Sequence, residues 1–153
     1  MKAYSKTWTL DLPISVVDAW SFFSRPENLE KITPNHMKFN ILSKLSSTEM
    51  YEGMMIRYQV CPVLNIPLHW TTEITHCKDK EYFIDEQRTG PFALWHHEHH
   101  FRSTPEGVEM KDILTYSIPF GFLGRMINWL FISKQIDSIF AYRKEVLRNK
   151  FRS

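Results

Sequence analysis

The stretch Gly90-Pro91-Phe92-Ala93-Leu94-Trp95-His96-His97-Glu98-His99-His100-Phe101 decides how this chain is read. It opens on a Gly-Pro turn signal and holds four of the seven histidines in the sequence. In a β-strand successive side chains point to opposite faces. Trp95, His97, His99 and Phe101 then share one face, while His96, Glu98, His100 and Arg102 share the other. The first face carries two large aromatics with imidazoles between them, and the second is wholly polar. The pattern predicts a strand whose inner face is apolar but not dry.

The neighbouring segments repeat the period of two. Tyr82 to Arg88 reads as the strand before, with Phe83, Asp85 and Gln87 on one face, and Lys78-Asp79-Lys80 as the turn that leads into it. After the Pro105-Glu106-Gly107 turn, Val108 to Ile118 places Val108, Met110, Asp112, Leu114, Tyr116 and Ile118 together. Pairing Phe101 roughly opposite Val108 brings His97 towards Asp112 across this hairpin. Further upstream, Lys38 to Leu45 reads as a strand. So does Met54 to Val60, with Met54, Ile56, Tyr58 and Val60 inward, and Leu68 to Cys77, with Trp70, Thr72, Ile74 and His76 sharing a face. The chain begins with a strand, Tyr4 to Leu12. Ser15 to Asp18 then fits a helix-capping box, and Pro26 stops the helix that follows. Glu27 to Ile32 makes a second short helix. Gly121 to about Lys150 reads as one long helix whose apolar stripe drifts near its middle. Strand, two short helices, about six more strands with short turns and a long helix predict a single α+β domain over residues 1–153. In it a curved antiparallel sheet of six to seven strands wraps a C-terminal helix.

Composition narrows the function classes. The net charge of +2 offers no electrostatic case for nucleic acid. The two cysteines, Cys61 and Cys77, lack metal-like spacing and are read as free thiols. The stretch Ile113 to Ile132 is interrupted by Pro119, Gly121, Gly124 and Arg125 and makes a poor membrane span. The first residues carry no apolar signal-like run, so a cytoplasmic location is expected. Aromatics at 14% are abundant, which suits an interior walled by large rings.

The element order resembles that of the START/Bet v 1-like superfamily, also known as the helix-grip or polyketide cyclase/dehydrase-type family. Its bacterial single-domain members carry runs like Phe83-Ile84-Asp85-Glu86-Gln87, Gly90-Pro91-Phe92 and Trp95-His96-His97, then Asp112, Tyr116-Ser117-Ile118-Pro119 and a Gly121–Gly124 pair. The resemblance covers essentially the whole chain. It implies a helix-grip fold that binds a hydrophobic or amphipathic small molecule, such as a lipid, isoprenoid, polyketide or aromatic metabolite, between sheet and helix.

Tyr58, Trp70, Phe83, Trp95, Met110, Leu114, Tyr116, Met126, Ile127 and Leu130 are the expected apolar lining of such a cavity, with Trp8, Phe22, Phe23 and Phe101 as further wall aromatics. Asp85, Gln87, His97, His99, Asp112 and Tyr116 are the expected polar patch. An inward carboxylate among apolar neighbours must be paired or protonated. The patch reads equally as a ligand's polar end or as a hydrogen-bond network that only positions strands. His97 and His99 form an H-x-H pair to which Asp85 or Asp112 could add a third metal ligand. The sequence matches no cupin spacing, and H-E-x-x-H is absent because Phe101 stands four after His97. An organic ligand is therefore expected ahead of a metal, with no cofactor. A histidine–aspartate acid–base pair (His97 or His99 with Asp112) would serve a cyclase or aromatase, the alternative to a non-enzymatic binding module. Phe120, Phe122, Trp129, Phe131 and Ile132 exceed what one helix face can bury, and predict a cavity mouth, a dimer contact or a transient membrane contact. Monomer and homodimer are both compatible with the sequence.

Overall fold

The computed structural model describes residues 2–45, 47–62 and 64–152. Seven strands form one antiparallel sheet: β1 (Ala3–Leu12), β2 (Asn40–Ile41), β3 (Met55–Val60), β4 (Leu68–Lys78), β5 (Tyr82–Thr89), β6 (Leu94–Thr104) and β7 (Gly107–Ser117). The sheet order is β1-β7-β6-β5-β4-β3-β2, so β1 closes against the last strand and every other neighbour is sequential. Two short helices, α1 (Val16–Phe23) and α2 (Asn28–Lys31), follow β1. The C-terminal helix runs as α3 (Gly121–Ile127), a π-helical turn (Asn128–Ile132) and α4 (Ser133–Lys150).

Local chemistry accounts for these elements. β1 alternates strictly between exposed and covered residues, with Leu10 and Leu12 in the core. Ser15 caps α1: its hydroxyl oxygen accepts the Asp18 N–H at 3.1 Å, while its own proton goes to the Asp18 carboxylate at 2.6 Å. The box is thus closed side chain to side chain, because aspartate is too short to reach the cap's backbone N–H. α1 lays Trp20 edge-on against Phe101 (5.4 Å) and Phe83 (6.1 Å), which roofs one end of the sheet.

Three expectations change. The strand expected over Lys38 to Leu45 forms only at Asn40–Ile41. Lys38 takes a left-handed φ of 46°, and the N–H groups of Leu42 and Ser43 both turn to Arg57 O, ending the ladder. In β4 the register shifts between Ile74 and His76, a β-bulge that turns His76 out to solvent and Cys77 inward against the core. The β6–β7 hairpin pairs Phe101 with Met110 and His99 with Asp112, two residues away from the expected register. A two-residue slip preserves side-chain parity, so the inner face is the expected one. Both cysteines are free.

The long helix holds the explanation for its drifting stripe. Ser133 N–H donates to Asn128 O, an i→i+5 bond that inserts one extra residue and rotates the stripe. The buried Asn128 side chain is tied down there by the Tyr116 hydroxyl, which donates to its Oδ1 at 2.9 Å. Gly124 sits where the helix crosses the end of β7. A Cβ on it would lie 2.0 Å from Pro119 O, so only glycine permits the approach.

Candidate functional site

Between the sheet and the C-terminal helix lies an apolar cavity of about 410 Å³, within the usual range for small-molecule sites. Tyr58, Val60 and Trp70 wall it from β3 and β4, Phe92 and Trp95 from the entry to β6, and Ile127, Ile136 and Ile139 from the helix. A smaller hollow of about 110 Å³ adjoins it, reached past Tyr58, Trp95, His97 and Arg143, which line both. Phe83, Asp85 and His99 line the smaller hollow only, together with Phe22 and Phe23 from α1.

The polar patch forms a closed ring at the seam. His97 and His99 lie side by side on β6, ring centroids 3.8 Å apart. His99 Nε2 lies 2.7 Å from Asp85 Oδ2 and His99 Nδ1 lies 2.9 Å from Asp112 Oδ1. His97 Nε2 lies 3.0 Å from the same Asp112 oxygen, and His97 Nδ1 lies 3.5 Å from Asp85 Oδ2. Both imidazoles are at least nine-tenths buried, at 4% and 8% exposure. Burial opposes charge on His99, but hydrogen bonds and charges from Asp112 and Asp85 outweigh it and raise its pKa above the ordinary imidazole value. Burial and the charge of His99 lower the His97 pKa despite the same carboxylates. Burial would raise the pKa of Asp85 and Asp112; hydrogen bonds to the imidazoles hold both below the usual carboxylate range. Within the ring the two carboxylates thus face one imidazole whose pKa is raised and one whose pKa is lowered.

Arg143 adds a positive charge beside the two carboxylates. It lies on the buried stripe of α4 between Phe140 and Leu147, and lines both hollows. Burial lowers its pKa, while Asp112, Asp85 and Tyr58 oppose that, and a guanidinium so supported stays charged. The Arg143 guanidinium carbon sits 4.8 Å from the Phe140 ring centroid, a cation–π contact. Its buried Nε has no hydrogen-bond partner among the described residues, and neither does Nε1 of the cavity-lining Trp70. Arg143 was absent from the residues expected from sequence. The available signal was a single cation at helical spacing within an apolar stripe: Phe140, Arg143, Leu147.

The other expected residues divide by location. Tyr58, Trp70, Trp95, His97 and Ile127 line the larger cavity; Phe83, Asp85 and His99 line the smaller one. Asp112 and Met110 open instead on a separate hollow between β1 and α4, behind the imidazoles. Leu114 and Tyr116 are fully buried core residues. Gln87 lines neither hollow. Its side chain clamps the Gly90-Pro91 turn, donating to Phe92 O at 2.7 Å and accepting from Phe92 N at 3.1 Å. Met126 and Leu130 are 42% and 41% exposed and face away from the cavity, because the helix turns its Gly124–Asn128 side to the sheet. Of the further wall aromatics, Trp8 stacks on Phe140 at 3.7 Å from the β1 side, and Phe101 packs in the core with Trp20. Phe120, Phe122, Trp129 and Phe131 are 64–77% exposed, as the count of aromatics predicts. His96 and His100 lie on the outer face, each beside a glutamate: His96 Nδ1 at 2.7 Å from Glu86 and His100 Nε2 at 2.9 Å from Glu98. No helix among the described residues is long and apolar enough to cross a membrane.

Comparison with known proteins agrees with this architecture. Solved structures of similar fold include a ginseng (Panax ginseng) major latex-like protein 151, with TM-score 0.71 and 8% identity over 99% of both chains. A START superfamily protein from Mycobacterium smegmatis gives TM-score 0.67 and 14% identity over 97% of this chain and 96% of that one. The di-domain ARO/CYC StfQ of the steffimycin biosynthetic pathway gives TM-score 0.67 and 11% identity over 97% of this chain and 52% of its own. At these identities the likeness concerns the fold. A search of curated protein sequences finds no match. The family model described as "Polyketide cyclase / dehydrase and lipid transport" matches residues 12–139. The chain therefore belongs to the polyketide cyclase/dehydrase and lipid-transport family.

Proposed function

We propose that the chain binds one amphipathic small molecule in the cavity between sheet and C-terminal helix. The apolar body of the ligand (a lipid, isoprenoid, polyketide or aromatic metabolite) lies against Trp70, Trp95 and Ile139, and its oxygen atoms face Arg143 and Trp70. One observation carries this reading. Two buried N–H donors, Arg143 Nε and Trp70 Nε1, lack partners, and both belong to residues lining the same 410 Å³ space. An unpaired buried donor costs about 1–3 kcal/mol, which an acceptor oxygen on a ligand recovers. Phe120, Ile127 and Ile132 line the cavity beside the exposed Phe122, Trp129 and Phe131, which makes that rim the entrance and the place for transient membrane contact. Native mass spectrometry of the purified chain, followed by solvent extraction, tests the reading. A single co-purifying oxygen-bearing hydrophobe supports it. An empty chain that also fails to bind N-phenyl-1-naphthylamine, a neutral hydrophobic fluorophore, refutes it.

The second reading is a cyclase or aromatase. It is favoured by His97, whose Nδ1 is 3.5 Å from Asp85 Oδ2, outside hydrogen-bond reach, in the wall of both hollows. In that role Asp112 fixes the tautomer through Nε2, and Nδ1 takes a proton from an enolisable ligand carbon. Turnover of a poly-β-ketone by wild type and its loss in His97→Gln, with N-phenyl-1-naphthylamine binding retained, would establish it.

A further inference from the structure

The closed ring of imidazoles and carboxylates has two unlike sides. Asp85, His97 and His99 line the smaller hollow, whereas Asp112 does not; it borders the separate hollow on the far side of the imidazoles. One oxygen of Asp112 meets a nitrogen of each ring, His97 Nε2 at 3.0 Å and His99 Nδ1 at 2.9 Å. A carboxylate accepts only, so a proton on either of these nitrogens is donated to Asp112. The remaining nitrogens, His97 Nδ1 and His99 Nε2, both approach Asp85 Oδ2 on the hollow side, at 3.5 and 2.7 Å. One ligand atom from each of Asp85, His97 and His99 falls within 4.8 Å of the others.

We propose that Asp85, His97 and His99 form a facial site for one divalent transition-metal ion of the zinc or ferrous class, with Asp112 orienting both imidazoles from behind. The H-x-H spacing in the sequence ranked a metal below an organic ligand; the side-chain geometry now brings Asp85 to both imidazoles. Two imidazoles and one carboxylate on one side of an ion leave its remaining positions open, here towards the hollow. Metal-bound imidazoles characteristically donate their other N–H to a carboxylate, the part Asp112 plays for both rings at once. The ion takes the place of the proton now shared between His99 Nε2 and Asp85. Arg143 lines the same hollow, so an ion held there carries an anionic oxygen on its open side, from hydroxide or from an enolate or carboxylate of the cavity's ligand. The site goes beyond binding of the organic molecule and does not depend on it.

The test uses the untagged full chain after chelator treatment, with no organic ligand added. Zn²⁺ is titrated in competition with a chromophoric chelator, and Co²⁺ is followed by its visible absorption. The expected result is one ion per chain, with Co²⁺ bands characteristic of four or five ligands. Asp85→Asn and His99→Gln should each weaken Zn²⁺ binding more than about 100-fold, and Asp112→Asn about 10–100-fold. The double variant His96→Gln/His100→Gln, on the outer face, should match wild type. Should His99→Gln fail to fold, the wild-type Co²⁺ spectrum carries the test alone. Wild type without stoichiometric binding, or with binding lost only in the outer-face double variant, overturns the site. N-phenyl-1-naphthylamine titrated into the same chelator-treated protein reports the organic cavity separately, so failure of either reading leaves the other measurable.

Discussion

Replacing Asp112 by asparagine probes the inward ring at its most connected atom. Oδ1 of Asp112 contacts a nitrogen of both His97 and His99, at 3.0 and 2.9 Å. Hydrogen bonds to a charged partner contribute about 1.5–3 kcal/mol each, so the two together contribute about 3–6 kcal/mol. The asparagine carbonyl keeps the same position and can accept both as neutral bonds of about 0.5–1.5 kcal/mol each. The difference, about 2–3 kcal/mol, should lower the melting temperature of the metal-free protein by about 4–12 °C, at about 2–4 °C per kcal/mol for a chain of this size. Differential scanning calorimetry in the presence of chelator measures it. Asp137→Asn provides the scale, since Asp137 pairs with Lys6 at 2.5 Å on the surface with 53% of its side chain exposed. It should cost under about 1 kcal/mol. Equal melting temperatures for Asp112→Asn and Asp137→Asn would refute the argument that the ring is a coupled, buried charge network.

Three further outcomes follow from particular residues. Gly124→Ala puts a methyl 2.0 Å from Pro119 O and should destabilise by about 1–3 kcal/mol, read as a lower urea midpoint with an unchanged slope. Arg143→Met removes the cation that faces the buried carboxylates Asp112 and Asp85 and leaves their charge less compensated, so stability should fall by up to about 3 kcal/mol. The same variant should weaken binding of the anionic 1-anilinonaphthalene-8-sulfonate far more than that of neutral N-phenyl-1-naphthylamine; equal losses would remove Arg143 from ligand recognition. Trp129 is 75% exposed, so Trp129→Ala should leave the melting temperature within about 2 °C while reducing flotation with anionic vesicles. Unchanged flotation would argue against membrane contact at this rim.

Much of the frame was legible because strand parity is a local property. The faces of β1, β6 and β7 follow from alternation alone, and a two-residue error in hairpin register leaves His97, His99 and Asp112 on the same side. What alternation cannot register is an odd-numbered insertion. The bulge in β4 turned His76 outward, and the π turn at Asn128–Ile132 rotated the helix so that Met126 and Leu130 left the cavity. The drift of the apolar stripe was the visible trace of that turn. The second carboxylate contact of the ring needed three strands in register at once: Asp85 on β5, the histidines on β6 and Asp112 on β7. Arg143 was missed because a lone cation on a helix is ordinarily solvated, and only tertiary packing put it inside.

The most direct measurement is a fluorescence titration of N-phenyl-1-naphthylamine into wild type and into Ile139→Trp, which fills the cavity from the helix side. The account predicts saturable binding of one fluorophore per wild-type chain, and at least about tenfold weaker binding in Ile139→Trp at similar thermal stability. Absence of saturable binding to wild type, or equal affinity for the filled variant, would contradict a ligand cavity between sheet and helix.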